Sequence, residues 1–227
     1  MEELYQKIIF QKDAEREIKA AESEGRSANF SNQTIQELNL SGREIRCGLN
    51  FKNSVFLASF YLGRSSILGD LIMEGAVINN ALYFGELKIN GDLIAPRMAV
   101  KNSLNFVGGE IGGSFDLEKS YIQGFLSLNK IRVKGKMNAK GIKIISLETS
   151  SGIVKGDFYM QNAEIEKSFD MEWGYVSGMA DFQKLSVWGF FNLSNSKVEG
   201  VLILRDSYIK GESLLEGLEC EEKIVSF

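Results

Sequence analysis

Apolar residues along this chain recur every eleven positions. Residues 111–121 read IGGSFDLEKSY and residues 122–132 read IQGFLSLNKIR. The form returns at 165–175 as IEKSFDMEWGY and at 187–197 as VWGFFNLSNSK. Its consensus is [I/V]-x-G-x-[L/F]-x-[L/F/M]-x-x-[small or apolar]-x. The repeat can be laid without gaps from Thr34 to Lys143, is one residue short where it opens at Ile144, and runs on from Val154 to Glu219. The first position is Ile or Val except at Thr34 and Phe56. The fifth is apolar from Leu38 to Leu202 if the missing residue falls before Leu147, and the seventh fails only at Thr149.

Within the repeat, inward and outward residues alternate from the tenth position of one unit to the seventh of the next. That is the two-residue period of a β-strand. Alternation breaks at the eighth and ninth positions, where Gly, Asn, Lys and Glu dominate, and these are turn positions. Pro96, the single proline, sits at an eighth position, where a missing N–H harms no ladder. The third-position glycine marks a bend that needs φ freedom or close backbone approach. Taking alternate repeats, third positions read Cys47, Gly69, Gly91, Gly113, Gly135, Gly156, Gly178 and Gly200. The intervening series, from Gln36 to Gly211, holds only three glycines. The true period is therefore 22 residues, and two repeats make one coil. A 33-residue coil is the alternative, but it leaves the glycine alternation unexplained.

These patterns predict an all-β, right-handed parallel β-helix of about eight coils over residues 28–219. Right-handed winding follows from the strong preference of parallel crossovers. Residues 1–27 are expected to form a helical cap, with Leu4, Ile8, Ala14, Ile18 and Ala21 on one stripe of a helix over 2–24 and Gly25 as its stop. Such a lid would cover the first coil, whose open strand edges invite aggregation. Residues 220–227 are expected to be a tail. The ladder resembles the quadrilateral β-helices of pentapeptide-repeat proteins and their divergent relatives, and ANFSN at 28–32 resembles a single pentapeptide unit. The resemblance implies the fold and no activity, because the shared residues form the core. The repeat here is eleven residues long rather than five.

Composition narrows the chemistry. The 227 residues include 23 Gly, one Pro and no His. Absent His removes Ser-His-Asp and Cys-His nucleophile systems and every His-based metal site. A net charge of −4 gives neither a basic nucleic-acid surface nor a strongly acidic tail. No run approaches the ~20 apolar residues of a membrane span, and the charged N-terminal segment lacks the apolar stretch of a signal peptide. Cys47 and Cys220 suit a reducing compartment rather than a disulfide scaffold, so cytoplasm is the default expectation. Cys47 takes a glycine place in an inward column and reads as core. No cofactor, metal ligand set or catalytic residue is expected.

The two wide sides of the coil differ. One carries mixed charges: Glu44, Arg46, Asp70, Lys88, Asp92, Glu110, Arg132, Lys134, Lys136, Lys155, Asp157, Lys197 and Glu199. It reads as a solvated face with weak cross-coil ion pairs. The other is apolar for an exterior: Val55, Leu57, Val77, Ala81, Ala99, Tyr121, Phe125, Ile145, Trp188, Phe190 and Tyr208. Exposed apolar patches mark interfaces, and Trp and Tyr anchor them. Tyr121, Phe125, Ile145, Trp188, Phe190 and Tyr208 are therefore the expected partner-binding residues of a non-enzymatic scaffold or protein-interaction module. The partner would be another protein or a second copy, including an end-to-end dimer through Leu214, Leu215, Leu218 and Phe227. The alternative is a carbohydrate-binding or carbohydrate-cleaving β-helix with Asp70 and Asp92 as its carboxylates. A further alternative is a DNA-mimicking inhibitor of a DNA-handling enzyme, which would need continuous acidic columns. Nucleic acid is not an expected partner. Outward sixth-position Asn39, Asn50, Asn105, Asn138 and Asn192, with Asp116, Asp170 and Asp181, are expected to support the coil structurally.

Overall fold

The computed structural model describes residues 8–226 and shows a parallel β-solenoid with one helix near its N-terminus. Each coil has four short sides. In one coil these are Val77–Ile78, Leu82–Tyr83, Lys88–Ile89 and Leu93–Ile94, here called sides 1 to 4. Every strand pairs in parallel with its counterpart one coil away, as Val77 with Ala99 and Leu93 with Phe115. Sides 1 and 2 belong to one sheet, and sides 3 and 4 to the other. At some corners a strand runs straight through from one side to the next, as in Tyr121–Ser127, Lys143–Glu148 and Lys197–Arg205.

Side 1 climbs through ten strands from Ile8–Ile9 to Tyr208–Ile209, which corrects the expected eight coils. At a strand spacing of ~4.8 Å, the first and tenth levels lie about 43 Å apart. The difference arises at both ends. Ile8–Ile9 pairs with Thr34–Ile35 and Ala28–Asn29 pairs with Leu49–Asn50, so the first coil is half strand. Residues 219–226 form a strand on Lys197–Arg205 rather than a tail.

The helix Gln11–Glu24 takes the place of sides 2 and 3 in that first coil, so it begins later than residue 2, and Leu4 lies outside the described residues. Gly25 ends it with φ +66°. Ala14, Ile18 and Ala21 are buried on the coil beneath, whereas Ile8 has left the stripe for a strand. The helix also satisfies the strand edges it covers. Gln11 donates from Nε2 to the Asn39 carbonyl (2.8 Å) and accepts the Asn39 N–H (2.9 Å), and Glu22 accepts the Arg46 N–H (2.8 Å). Backbone groups that would otherwise be left at an open sheet edge are thereby paired.

A second correction concerns register. Ile35, not Thr34, faces inward and pairs with Phe56. The corner from Ile35 to Leu38 is one residue shorter than the usual first-to-fifth step. The same shortening occurs between Ile144 and Leu147, where pairing with Tyr121–Ser127 shifts register, as the sequence placed it. Two corners thus lost a residue without disturbing the strands.

Inside, the apolar columns form one continuous core. Phenylalanine rings pack through it, including Phe56 on Phe60 (centroids 4.8 Å, stacked) and Phe169 on Phe191 (5.2 Å, stacked). Ninth-position residues sit in the left-handed region at turn after turn, from Asn32 (φ 58°) to Gly217 (φ 70°). Serines at the tenth position are buried, and their hydroxyls donate to turn carbonyls, as Ser120 does to Ala95 (2.8 Å). Sixth-position carboxamides and carboxylates accept the N–H two residues on, as at Asn50, Asp116 and Asp181. Only some also bond along the axis, as Asn138 Nδ2 donates to Asp116 (3.1 Å) and Asn192 Nδ2 to Asp170 (3.1 Å).

Candidate functional site

On side 1 two outward columns run parallel, one through Val55 and the other through Leu57. The first continues Val77, Ala99, Tyr121, Lys143, Glu164, Ser186 and Tyr208, each pairing with the next. The second continues through Lys101, Gln123, Ile145, Glu166 and Trp188. The strands put these side chains outward because their neighbours Ile122, Ile144, Ile165 and Val187 fill the core.

The expected partner-binding residues do share this face, but they do not form one apolar cluster. Tyr121, Phe125, Trp188 and Tyr208 are 43–53% exposed, while Ile145 and Phe190 are half-buried and Ala81 is buried. Phe125 and Phe190 stand at the corner between sides 1 and 2. Among the described residues, no ring pair joins any of these five aromatics; an outward stacked pair is instead formed by half-buried Tyr61 and exposed Tyr83 (4.8 Å, 5° between planes) on side 2. Charged residues that looked sparse in the sequence occupy the middle of the patch. Lys143 pairs with Glu164 at 2.8 Å there. The result is a groove of about 790 Å³, walled by Tyr121 at one end and Trp188 at the other, with Ile145, Lys143, Glu164 and Glu166 on its floor. Tyr121 and Trp188 are three levels apart, roughly 14 Å. A single column read down the sequence could not show this, because the groove needs two columns and four coils at once.

Sides 3 and 4 place the carboxylates of the carbohydrate alternative in structural service. Asp70 Oδ1 accepts the Asp92 N–H (2.8 Å), and Asp92 Oδ1 accepts the Ser114 N–H (2.7 Å). Further up the same column, Asp157 accepts the Met179 N–H (3.0 Å). Asp157 also accepts the Tyr159 hydroxyl (2.8 Å) and pairs with Lys136 (3.2 Å). The Tyr159 hydroxyl, with the Met179 N–H and Lys136 behind it, holds the Asp157 carboxyl below the usual carboxylate range. Asp116 moves the other way, pushed up mainly by burial. Burial likewise pushes the Cys47 thiol up and outweighs the Ala28 N–H and Arg26, so the thiolate is disfavoured there. Among the described residues, no group of three His, Cys, Asp or Glu could hold a metal ion, and no helix is long and apolar enough to cross a membrane.

The C-terminal end bears on the end-to-end dimer. Leu215 and Leu218 are partly buried against the core, but Leu214 faces outward on side 2 and Phe227 lies outside the described residues. The last coil puts polar residues at two core positions: Ser213 follows Phe191, and Lys223 follows Leu202. A lysine at an inward place on an edge strand opposes continued stacking. In comparison with known proteins, the chain matches no family model, no curated protein and no solved structure.

Proposed function

We propose that this protein is a rigid, non-enzymatic scaffold that binds another protein, or a second copy of itself, across side 1. One observation carries the reading: Tyr121, Phe125, Trp188 and Tyr208 stand 43–53% exposed on one face, Tyr121 and Trp188 walling its groove, and no other aromatic ring of the described residues packs on them. Large aromatic side chains left half in water are the anchors that interfaces use. Rigidity supports the same reading. Coil-to-coil hydrogen bonds fix the columns, so little ordering cost remains to be met on binding. The carbohydrate alternative keeps only the aromatic groove walls, because Asp70 and Asp92 already accept backbone N–H groups.

The test is the double variant Trp188→Ala, Tyr208→Ala. Both residues are exposed, so the unfolding free energy should stay within about 0.5 kcal/mol of the parent. Affinity capture with identification of the bound proteins, alongside light scattering for mass, should then show loss of the partner or of the self-associated species. Unchanged capture and unchanged mass would remove the proposal. Glycan binding that vanishes in the same variant would transfer the groove to a sugar ligand.

A further inference from the structure

The mixed-charge face has a feature that its composition hides. On side 3, a second groove of about 710 Å³ opens above Gly112, between Asn90 one level below and Lys134 one level above. Gly112 contributes no side chain to its column, and a Cβ there would lie 2.2 Å from the Asn90 carbonyl oxygen. The hollow is therefore fixed by the backbone. Around it stand Lys88, Arg132, Lys134 and Lys155, with Lys136 on the adjoining corner.

Three carboxylates lie close by, and each is already engaged. Glu110 pairs with both Arg132 (3.2 Å) and Lys88 (3.7 Å). Asp157 is held by Lys136 and Tyr159. Asp92 accepts the Ser114 N–H. Lys134 and Lys155 have no carboxylate partner among the described residues. They occupy successive coils of one column, ~4.8 Å apart at the backbone. A chain of net charge −4 thus concentrates five cations against three engaged carboxylates on one rim.

We propose that this groove docks an acidic, extended segment of another protein, with Lys134 and Lys155 as its cationic anchors and the exposed edge of Ile153 as an apolar contact. Charge complementarity selects the partner. Lysine ammoniums are compact point charges suited to carboxylates presented along a strand, whereas planar, bidentate recognition of phosphate favours arginine. Single-stranded nucleic acid needs aromatic platforms for its bases. The groove lining has none, and nearby Tyr159 has Lys140 over its ring at 4.5 Å.

The experiment titrates the full chain against a fluorescent oligoglutamate peptide at low and at physiological ionic strength, with an oligothymidylate of equal charge in parallel. Lys134→Gln with Lys155→Gln is compared with Lys19→Gln, an exposed lysine on the N-terminal helix. The expected result is saturable oligoglutamate binding that weakens with salt, falls at least about tenfold in the double variant and is unchanged in Lys19→Gln. No binding, or equal binding by the double variant and the parent, overturns the site. Tighter binding of oligothymidylate that the double variant abolishes overturns the acidic-peptide assignment. Neither outcome touches the side 1 proposal, which rests on other residues.

Discussion

Replacing Gly156 with alanine should destabilise the solenoid even though its φ is not in the left-handed region. The reason is proximity. A Cβ on Gly156 would lie 2.8 Å from the Gly135 carbonyl oxygen, 2.9 Å from the Gly135 carbonyl carbon and 3.0 Å from the Lys136 nitrogen. All three are backbone atoms of the coil below, so no side chain can swing aside. Relief requires the two coils to part locally, against the bonds that join them there, from the Lys155 N–H to the Val133 carbonyl (2.8 Å) and from the Met137 N–H to the Asp157 carbonyl (2.8 Å). Overpacking of this kind costs about 1–3 kcal/mol. Alanine returns about 0.4–1 kcal/mol by restricting the unfolded chain. The net loss is then about 0–2.6 kcal/mol, centred near about 1.3 kcal/mol. In a chain of this size the central value lowers the unfolding midpoint by roughly 3–5 °C. Gly63 provides the contrast. Its nearest atoms to an added Cβ are the Gly85 carbonyl oxygen at 3.4 Å and the Tyr83 carbonyl oxygen at 3.9 Å, which are ordinary contacts. Gly63→Ala should be neutral or raise the midpoint. Thermal unfolding followed by circular dichroism reads both. If Gly156→Ala is as stable as the parent, or if the two variants shift together, the third-position glycines are not there for close approach.

Asp92→Ala should cost about 1–2 kcal/mol in a denaturant titration, because it strips the acceptor from the Ser114 N–H, while Asp92→Asn keeps an oxygen there and should stay within about 0.5 kcal/mol. Equal losses would show that charge, not the acceptor, matters at this corner. Asp157 predicts a pH dependence. Its folded carboxyl titrates below the ordinary range, chiefly through the Tyr159 hydroxyl, so the unfolded chain takes up this proton first. The stability it contributes is therefore complete above the ordinary carboxylate range and is lost as pH falls through the lowered folded value. Asp157→Asn should be less stable than the parent near neutrality and should converge with it in acid. A gap that persists unchanged in acid would refute that linkage.

The eleven-residue repeat made the solenoid legible because each coil repeats the same burial problem. Ile at the first position and Leu or Phe at the fifth and seventh must face inward wherever they recur, so alternation and the glycine series specify strands, corners and a 22-residue coil. The single short repeat at Ile144 was legible for the same reason. The one at Ile35 was not, because Thr34 and Ile35 are adjacent and only pairing with Phe56 decides which faces the core. The first coil escaped too: its helix interrupts the repeat, and Ile8–Ile9 becomes a strand only through Thr34–Ile35, far along the chain.

The surface divides the same way. Sequence alone assigned Tyr121, Phe125, Trp188 and Tyr208 to an exterior face, since outward positions follow from period two. The same period put Lys143 and Glu164 on that face; only the tertiary structure paired them and turned a supposed apolar patch into a groove. It likewise showed that Asp70 and Asp92 accept N–H groups from the next coil, and that among the described residues Lys134 and Lys155 have no carboxylate partner beside the hollow at Gly112. The physical reason is that burial is decided along the chain, residue by residue, whereas hydrogen-bond partners and ion pairs on a solenoid come from 22 residues away, in a direction the sequence does not run.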